Sequence, residues 1–155
     1  MKTSLLNESD GRRTFIVVLA TGDEAVACLT SFAKAQGLLG SHFTGIGAFS
    51  RAVVGYFDWE AKDYRRIPID AQVEVLSMIG DISLDKGEPK IHAHVVLGAS
   101  DATARGGHLL SGHVRPTLEI VLTEAPRHLR RRFDPESGLA LIDPAPQSAV
   151  NIHGR

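Results

Sequence analysis

Apolar positions near the start of the chain predict one strand followed by one helix. Residues 14–20, TFIVVLA, form a short apolar run rich in β-branched side chains, typical of a strand buried on both faces. Residues 22–36 repeat apolar positions at helical spacing and stop before Gly37, which predicts an amphipathic helix with a glycine C-cap. Thr21 and Glu24 have the spacing of a capping box, so we expect the helix to begin there.

Beyond this helix the apolar period falls from about 3.6 to 2, which is the period of β-strands. The predicted strands are residues 41–50, 51–59, 63–69, 71–83, 90–99, 108–114 and 117–124. Pro68 indicates that its strand lies at a sheet edge. We expect residues 100–107 to form a loop and residues 127–144 an irregular segment. One principal amphipathic helix beside many strands predicts a single-domain α+β fold with a mainly antiparallel sheet.

Length and composition limit the classes of protein that fit. A chain of 155 residues suits one domain, and the polar residues 1–12 predict a flexible leader. The formal net charge of -1 argues against whole-domain electrostatic binding to DNA or an anionic membrane. Cys28 is the only cysteine, which excludes an intrachain disulfide. Without a signal-peptide core or an apolar run of ~18 residues, we expect a soluble cytoplasmic protein with no membrane partner.

Three histidines have the spacing of a metal site. His92 and His94 lie on one predicted strand and point to the same face, with Cα atoms roughly 6.5–7 Å apart. Two imidazoles at that spacing can reach one zinc ion at Zn–N distances of about 2.0–2.1 Å. His108 is the candidate third ligand, because the predicted loop is long enough to fold back and Gly106 and Gly107 allow close approach. Three neutral imidazoles leave a fourth position for water or substrate, which is the pattern of catalytic zinc.

The alternative is that these histidines are ordinary surface or hydrogen-bonded residues. The remaining histidines lack comparable spacing and are interpreted in that way: His42, His113, His128 and His153. Asp101 is near enough in sequence to bind the metal or to support a ligand. An aspartate in a predicted loop is more commonly a turn former.

Glu74 and Glu119 lie inside predicted apolar strands, and Glu74 is expected on the face shared by Leu76 and Met78. A glutamate in such a strand faces water, finds a partner or is neutral. Each is therefore a candidate catalytic residue, either orienting a metal-bound histidine or acting as general base on a bound water. The alternative for each is an outward-facing side chain on a half-solvated sheet.

The run RHLRRR, residues 127–132, contains four arginines and could contact phosphates. It has no interleaved aromatic residues and no recognition-helix pattern. A solvated face, or one that forms salt bridges between subunits, is the favoured interpretation. No residue is therefore assigned to nucleic-acid binding.

Several segments together resemble the plants-and-prokaryotes-conserved (PPC) domain family. Residues 87–124 carry the histidine motifs of that family in the order H-x-H and G-G-H. The further matching segments are 41–50, SHFTGIGAFS, similar to THFTGIGA; 73–83, VEVLSMIGDIS, similar to FEILSLxG; and 131–143, RRFDPESGLALID, similar to R-x-DPETGL-x-LL. The resemblance covers about residues 13–143, so we expect that range to be the domain and residues 144–155 to be a C-terminal tail.

The resemblance implies an α+β fold, a homotrimer, and zinc held by His92, His94 and His108. Because symmetric oligomers place the same groups near a shared axis or interface, we expect the site near a subunit boundary. In plants the domain is joined to AT-hooks that bind AT-rich DNA, and bacterial members are labelled DNA-binding by that association. This chain has no R-G-R-P-like core, so the minor-groove function is not carried over. We expect a trimeric zinc-binding protein whose site binds or transforms a small molecule of unknown identity. The alternatives are a DNA-associated or regulatory protein-interaction module, and a structural trimer in which the metal only fixes the subunits.

Overall fold

The structure is a computed structural model that describes residues 1–144. Its elements are β1 (Lys2–Ser9), β2 (Arg12–Ala20), α1 (Ala25–Gln36), β3 (Gly40–Asp58), β4 (Asp63–Ile69), β5 (Val73–Asp85), β6 (Glu88–Gly98), β7 (Ala104–Glu124), β8 (Arg131–Asp134) and β9 (Leu139–Ile142). Seven strands form an antiparallel sheet in the order β1-β2-β7-β6-β5-β3-β4, and β8 and β9 form a separate hairpin. The predicted single-domain α+β fold with a mainly antiparallel sheet is confirmed. No helix of the described range is long and apolar enough to cross a membrane.

Two long strands close the sheet on itself. Besides its neighbours in the sheet order, β7 also pairs with β3, so β3, β5, β6 and β7 form a closed ring. The pairs predicted as separate strands, 41–50 with 51–59 and 108–114 with 117–124, are each one continuous strand. Glycines and β-bulges, such as the one between Gly45 and Gly47, interrupt the alternation without ending the pairing. The ring therefore has a buried inside and an outer face, which carries the candidate site.

Helix α1 packs against the buried face of the sheet. Phe32 of the helix meets Phe15 of β2 edge to face, with ring centroids 5.3 Å apart. The helix ends at Gly37 as predicted, but its N-cap is Glu24, whose carboxylate accepts from the backbone amides of the first turn. The predicted capping box is wrong because Thr21 belongs to the preceding turn and donates instead to the carbonyl of Pro116. The helix consequently begins three residues later than expected.

Strands β1 and β2 correct two expectations at the N-terminus. Lys2–Ser9 is not a loose leader but an edge strand paired with β2, although all its residues are exposed. Backbone hydrogen bonds hold such a strand, and its side-chain pattern gives no sign of them. In β2 only alternate residues are buried, so one face and not both is covered. This is the burial expected for an antiparallel sheet with one face towards the core.

The segment after β7 is also more regular than expected. Residues 127–144 contain the hairpin β8–β9, in which Asp134 accepts from the amide and hydroxyl of Ser137 and Gly138 adopts a positive φ of 76°. The segment leading into the hairpin is attached to the sheet through the amide of Leu84, which donates to the carbonyl of Leu129. Of the predicted tail, residues 145–155 lie outside the described residues, and so does His153.

Candidate metal centre

His92, His94 and His108 converge on the outer face of the ring. His94 of β6 lies directly opposite His108 of β7, and His92 lies two residues along β6. The three imidazole centroids are 5.2–5.4 Å apart in every pair. One ligand nitrogen from each residue lies within 4.8 Å of the others. We call these three residues the histidine triad.

Strand geometry places the triad, with one correction to the sequence interpretation. Ala93 and Val95 point into the core, so His92 and His94 share the outer face as predicted. His108 does not arrive on a long loop, because β7 already begins at Ala104 and pairs with β6 from there. Cross-strand pairing in this short connection, rather than loop folding, brings the third imidazole to the first two.

The two glycines before His108 permit that pairing. A Cβ atom at Gly106 would lie 2.7 Å from the carbonyl oxygen of Val95. One at Gly107 would lie 2.9 Å from the carbonyl oxygen of Gly55. Real Cβ atoms do not approach backbone oxygens so closely, so any side chain here would push β7 away from its neighbours. The two glycines therefore allow close approach of the backbone, as the sequence suggested. The approach is between paired strands, with Gly106 close to β6 and Gly107 close to β3.

An aromatic side chain forms one wall of the site. Tyr64, on the edge strand β4, stacks on the imidazole of His108 with a centroid distance of 4.5 Å and an interplanar angle of 24°. Gly55 lies opposite His108, and a Cβ there would sit 2.8 Å from the Tyr64 ring. The absent side chain leaves the space that the tyrosine fills. Sequence reasoning missed Tyr64, because only the registers of β4 with β3 and of β3 with β7 bring it to the site.

Burial and mutual charge keep two of the imidazoles neutral. Burial, followed by the nearby charges of His92 and His94, lowers the pKa of His108 to about 4. Burial and the charge of His92 also lower the pKa of His94 below its ordinary value. Metal binding requires neutral imidazoles, so at neutral pH no proton has to leave either residue.

The donor set fits a divalent transition metal. The Nδ1 atom of His108 is buried and, among residues 1–144, has no hydrogen-bond partner. A buried nitrogen without a partner is costly, and a metal bound at this atom would provide one. Three nitrogens around a tetrahedral zinc lie about 3.3 Å apart, so a modest contraction of the triad would bring them into coordination. Imidazole ligands suit zinc and other first-row divalent ions.

Asp81 supports the triad from β5, where it lies directly opposite His92. Its carboxylate accepts a hydrogen bond from His92 Nδ1 at 3.1 Å, from Ser83 Oγ at 2.8 Å and from Arg131 Nη2 at 2.7 Å. Burial alone would raise the pKa of Asp81, but the hydrogen bonds from His92, Ser83 and Arg131 outweigh it and lower that pKa to about 2. Asp81 is therefore an anion beside the site.

Sequence reasoning missed Asp81, although a signal was present. The signal is the turn sequence DKGE, residues 85–88, whose glycine suits a two-residue hairpin turn that fixes strand register. In the structure Lys86 and Gly87 both have the positive φ of such a turn, at 52° and 86°. Counting back equally from that turn along β5 and β6 pairs Asp81 with His92. Arg131 had no comparable signal, because it comes from a hairpin far along the chain.

The other predicted polar residues do not join the triad. Asp101 accepts from the amide and hydroxyl of Thr103, which supports the turn-forming interpretation. His113 lies beside Arg51, with 3.4 Å between its Nε2 and the guanidinium. The group that can hold a metal within the described residues contains neither His42 nor His128.

Glu74 and Glu119 are both exposed and lie away from the triad. They line an open cleft of about 400 Å³ with residues that include Ile46 and Thr117, and none of the triad histidines lines it. The expectation that Glu74 shares a face with Met78 is wrong, because a bulge between Val75 and Ser77 reverses the alternation and buries Met78. The outward-facing interpretation therefore describes both acids. We call this region the acidic cleft.

The arginine run is divided by the fold rather than presented as one surface. The side chain of Arg131 is only 6% exposed and binds Asp81. Arg132 forms an ion pair with Asp143 at 2.6 Å. Arg127 and Arg130 are exposed. One arginine of the run therefore makes an internal contact with Asp81 beside the triad. The positive charge that the run presents at the surface is smaller than its sequence suggested.

Comparisons with known proteins find a matching family model and similar solved structures. Residues 6–126 match the model of the family described as the Plants and Prokaryotes Conserved domain. Among solved structures, a plant- and prokaryote-conserved protein from Pyrococcus horikoshii is 34% identical, with 92% of this chain and 94% of that chain covered and a TM-score of 0.79.

Two further structures are similar. A metal-containing protein from Archaeoglobus fulgidus is 31% identical, with 91% of this chain and 96% of that chain covered and a TM-score of 0.77. A protein from Bacteroides thetaiotaomicron named "putative DNA binding protein" is 28% identical, with the same coverage and a TM-score of 0.82. No curated protein sequence matches the chain.

Proposed function

Because the chain belongs to the plants-and-prokaryotes-conserved domain family, we propose that it is a metal-binding protein that holds zinc on His92, His94 and His108. The observation that carries this proposal is the convergence of three imidazoles, one of which has a buried nitrogen without a hydrogen-bond partner in the described chain. The name of the similar Archaeoglobus protein, which calls it metal-containing, supports it. Zinc held by these three histidines would leave a fourth position for a small molecule or a water and would supply Lewis-acid polarisation there.

The surroundings of the triad favour a small ligand. His94 is exposed while His108 is half-buried, so a ligand would approach over His94. The Tyr64 ring covers His108 on one side and shields it from water. This arrangement supports a ligand that enters from the His94 side and lies beside the triad.

A zinc titration tests the proposal. We expect the purified wild-type protein to bind zinc stoichiometrically, measured by competition with a chromogenic chelator and by elemental analysis. The variant His92→Ala/His94→Ala/His108→Ala should bind none. The control variant His113→Ala also loses an imidazole but should behave as wild type. A wild-type protein that retains no zinc after reconstitution would rule the proposal out.

Assembly as a homotrimer is part of the proposal and rests on the family. A cross-strand row of outward side chains runs from Val121 through Thr44 and Ile79 to His94. Val121 and Ile79 are 45% and 57% exposed, so this row offers an apolar contact surface that leads to the triad. It supports a subunit boundary close to the metal.

Light scattering with size-exclusion chromatography tests the assembly. We expect wild type and His92→Ala both to be trimeric, with only the variant lacking zinc. Loss of trimers together with zinc would instead assign the metal a purely structural role. A monomeric wild-type protein would contradict the trimer.

DNA association is the second candidate, favoured by the name of the Bacteroides relative. The exposed Arg127 and Arg130 are the arginines of the run that remain available for phosphates. This candidate predicts binding to AT-rich duplex that falls steeply with salt and is weakened in Arg127→Ala/Arg130→Ala. Negligible retention of both proteins at low salt would remove it.

A further inference from the structure

A chain of side chains links the C-terminal hairpin to the histidine triad. Arg131 of β8 donates to Asp81 of β5, and Asp81 accepts from His92 of β6. We propose that Asp81 and Arg131 are positioning residues of the metal site: Asp81 holds His92 in the tautomer that presents Nε2 to the metal, and Arg131 fixes the carboxylate that does so. This inference rests on the metal site proposed above.

The tautomer follows from the chemistry of the two partners. A carboxylate only accepts hydrogen bonds, so His92 Nδ1, 3.1 Å from Asp81 Oδ2, must carry the hydrogen. In a neutral imidazole the lone pair is then on Nε2. Metal-binding histidines ordinarily donate their other ring nitrogen in this way, which fixes the ring orientation and makes the ligand more basic.

The two oxygens of Asp81 have separate tasks. Oδ1 accepts from Arg131 Nη2 at 2.7 Å and from Ser83 Oγ at 2.8 Å. Oδ2 is left for His92. A carboxylate held on one oxygen by two donors cannot rotate without breaking both bonds, so its second oxygen stays aimed at the imidazole.

Arg131 is itself fixed at every donor group. Nε donates to Ser83 Oγ at 2.7 Å, and Nη1 donates to the carbonyl of Ala140 at 3.0 Å. Only 6% of the Arg131 side chain is exposed, so the surrounding protein and these hydrogen bonds hold the guanidinium in place. The planar fork of arginine matches such a set, which the single ammonium of lysine does not.

The hairpin that carries Arg131 lies beyond residue 126, where the family match ends. The segment leading into it is attached to the sheet by the amide of Leu84, which donates to the carbonyl of Leu129. The amide of Asp143 donates to the carbonyl of Arg130 and joins the two ends of the hairpin. An anchoring ion pair would explain the Arg131–Asp81 contact alone. A purely anchoring role would not require the second oxygen of Asp81 to accept from His92. Anchoring of the hairpin and positioning of His92 can therefore be distinguished by experiment.

Two measurements on the full chain separate them. The first is the tautomer of His92 in the metal-free protein, read from long-range ¹H–¹⁵N NMR correlations. The second is zinc affinity by chelator competition. The variants are Asp81→Ala, Asp81→Asn and Arg131→Ala. Arg132→Ala is the matched control, because it removes a neighbouring arginine whose ion pair is with Asp143.

We expect Asp81→Ala to lose the Nδ1–H tautomer and to bind zinc about 10- to 100-fold more weakly. Asp81→Asn keeps an acceptor oxygen and should lie closer to wild type in both measurements. Arg131→Ala should weaken zinc binding less than Asp81→Ala, and Arg132→Ala should not change it. If Arg131→Ala fails to fold, the two Asp81 variants still decide the question.

An unchanged tautomer and wild-type zinc affinity in Asp81→Ala would overturn the inference and leave only an anchoring role. Failure of the proposed function is a different result, in which the wild-type protein binds no zinc. The tautomer comparison uses metal-free protein, so it decides whether Asp81 orients His92 in that case too.

Discussion

The histidine triad and the acidic cleft both lie on the outer face of the ring, and both were suggested by polar residues in apolar strands. In the triad, His94 lies opposite His108, and His92 lies opposite Asp81. The polar side chains therefore meet one another across the strands. Burial and the nearby charges of His92 and His94 then change their chemistry, as the lowered pKa of His108, about 4, shows.

In the acidic cleft the cross-strand neighbours are different. Glu74 lies opposite Gly98 and Ala48, and Glu119 lies opposite Ile46 and Val18. Neither acid has a polar side chain in register, and both are exposed. Directly opposed pairs are the units through which side chains of a sheet interact. Strand register, rather than residue type, therefore explains why polar side chains meet in the histidine triad and not in the acidic cleft.

The largest effect should come from removing a triad ligand. Zinc at about 100 times its Kd should stabilise the wild-type protein by about 2.7 kcal/mol, measured by thermal unfolding with and without the metal. His108→Ala should lose this stabilisation, because two imidazoles bind zinc far less tightly than three. The control His113→Ala should keep it. Equal stabilisation of His108→Ala and wild type would contradict the site.

Two glycine substitutions should distinguish the histidine triad from the acidic cleft when unfolding free energy and zinc affinity are both measured. A Cβ at Gly80 would lie 2.4 Å from the carbonyl oxygen of His92, and one at Gly47, in the acidic cleft, 2.2 Å from that of Thr117. Each alanine variant should lose about 2–3 kcal/mol of unfolding free energy in urea. Only Gly80→Ala should also weaken zinc binding. A weaker zinc complex in Gly47→Ala would show that the regions are coupled.

Tyr64→Ala should have a smaller effect, confined to the triad. The stacked ring contributes about 0.5–1.5 kcal/mol to the placement of His108, so zinc affinity should fall about 2- to 10-fold in the chelator assay. Tyr64→Phe keeps the ring and should match wild type. A loss of the same size in Tyr64→Phe would assign the effect to the hydroxyl instead.

The smallest effects should come from the acidic cleft. Glu74→Gln and Glu119→Gln should each change the unfolding free energy by less than about 0.5 kcal/mol, because both side chains are exposed. Neither should change zinc affinity. If either variant bound zinc more weakly, that acid would share the site, as the sequence alone allowed.

The elements most predictable from the sequence were those with an uninterrupted pattern. Helix α1, the edge strand β4 and the strand β6 are close to expectation, because each has one period over its whole length. The bounds of β5 are also close to expectation, although a bulge reverses its alternation after Val75. Strand β7 was divided into a loop and two strands, since glycines and bulges break its alternation while its hydrogen bonds continue. Strand β1 was missed, because backbone pairing alone holds it.

For the candidate site, the sequence by itself determined the pairing of His92 with His94, because alternate residues of a strand share a face whatever surrounds it. It also pointed to His108 through the two glycines before it. Only the tertiary structure decided that Tyr64 covers His108, that Arg131 reaches Asp81 from a distant hairpin, and that Glu74 and Glu119 lie apart from the histidine triad. These contacts depend on strand register and on a bulge, and both are set by pairing between segments far apart in the chain.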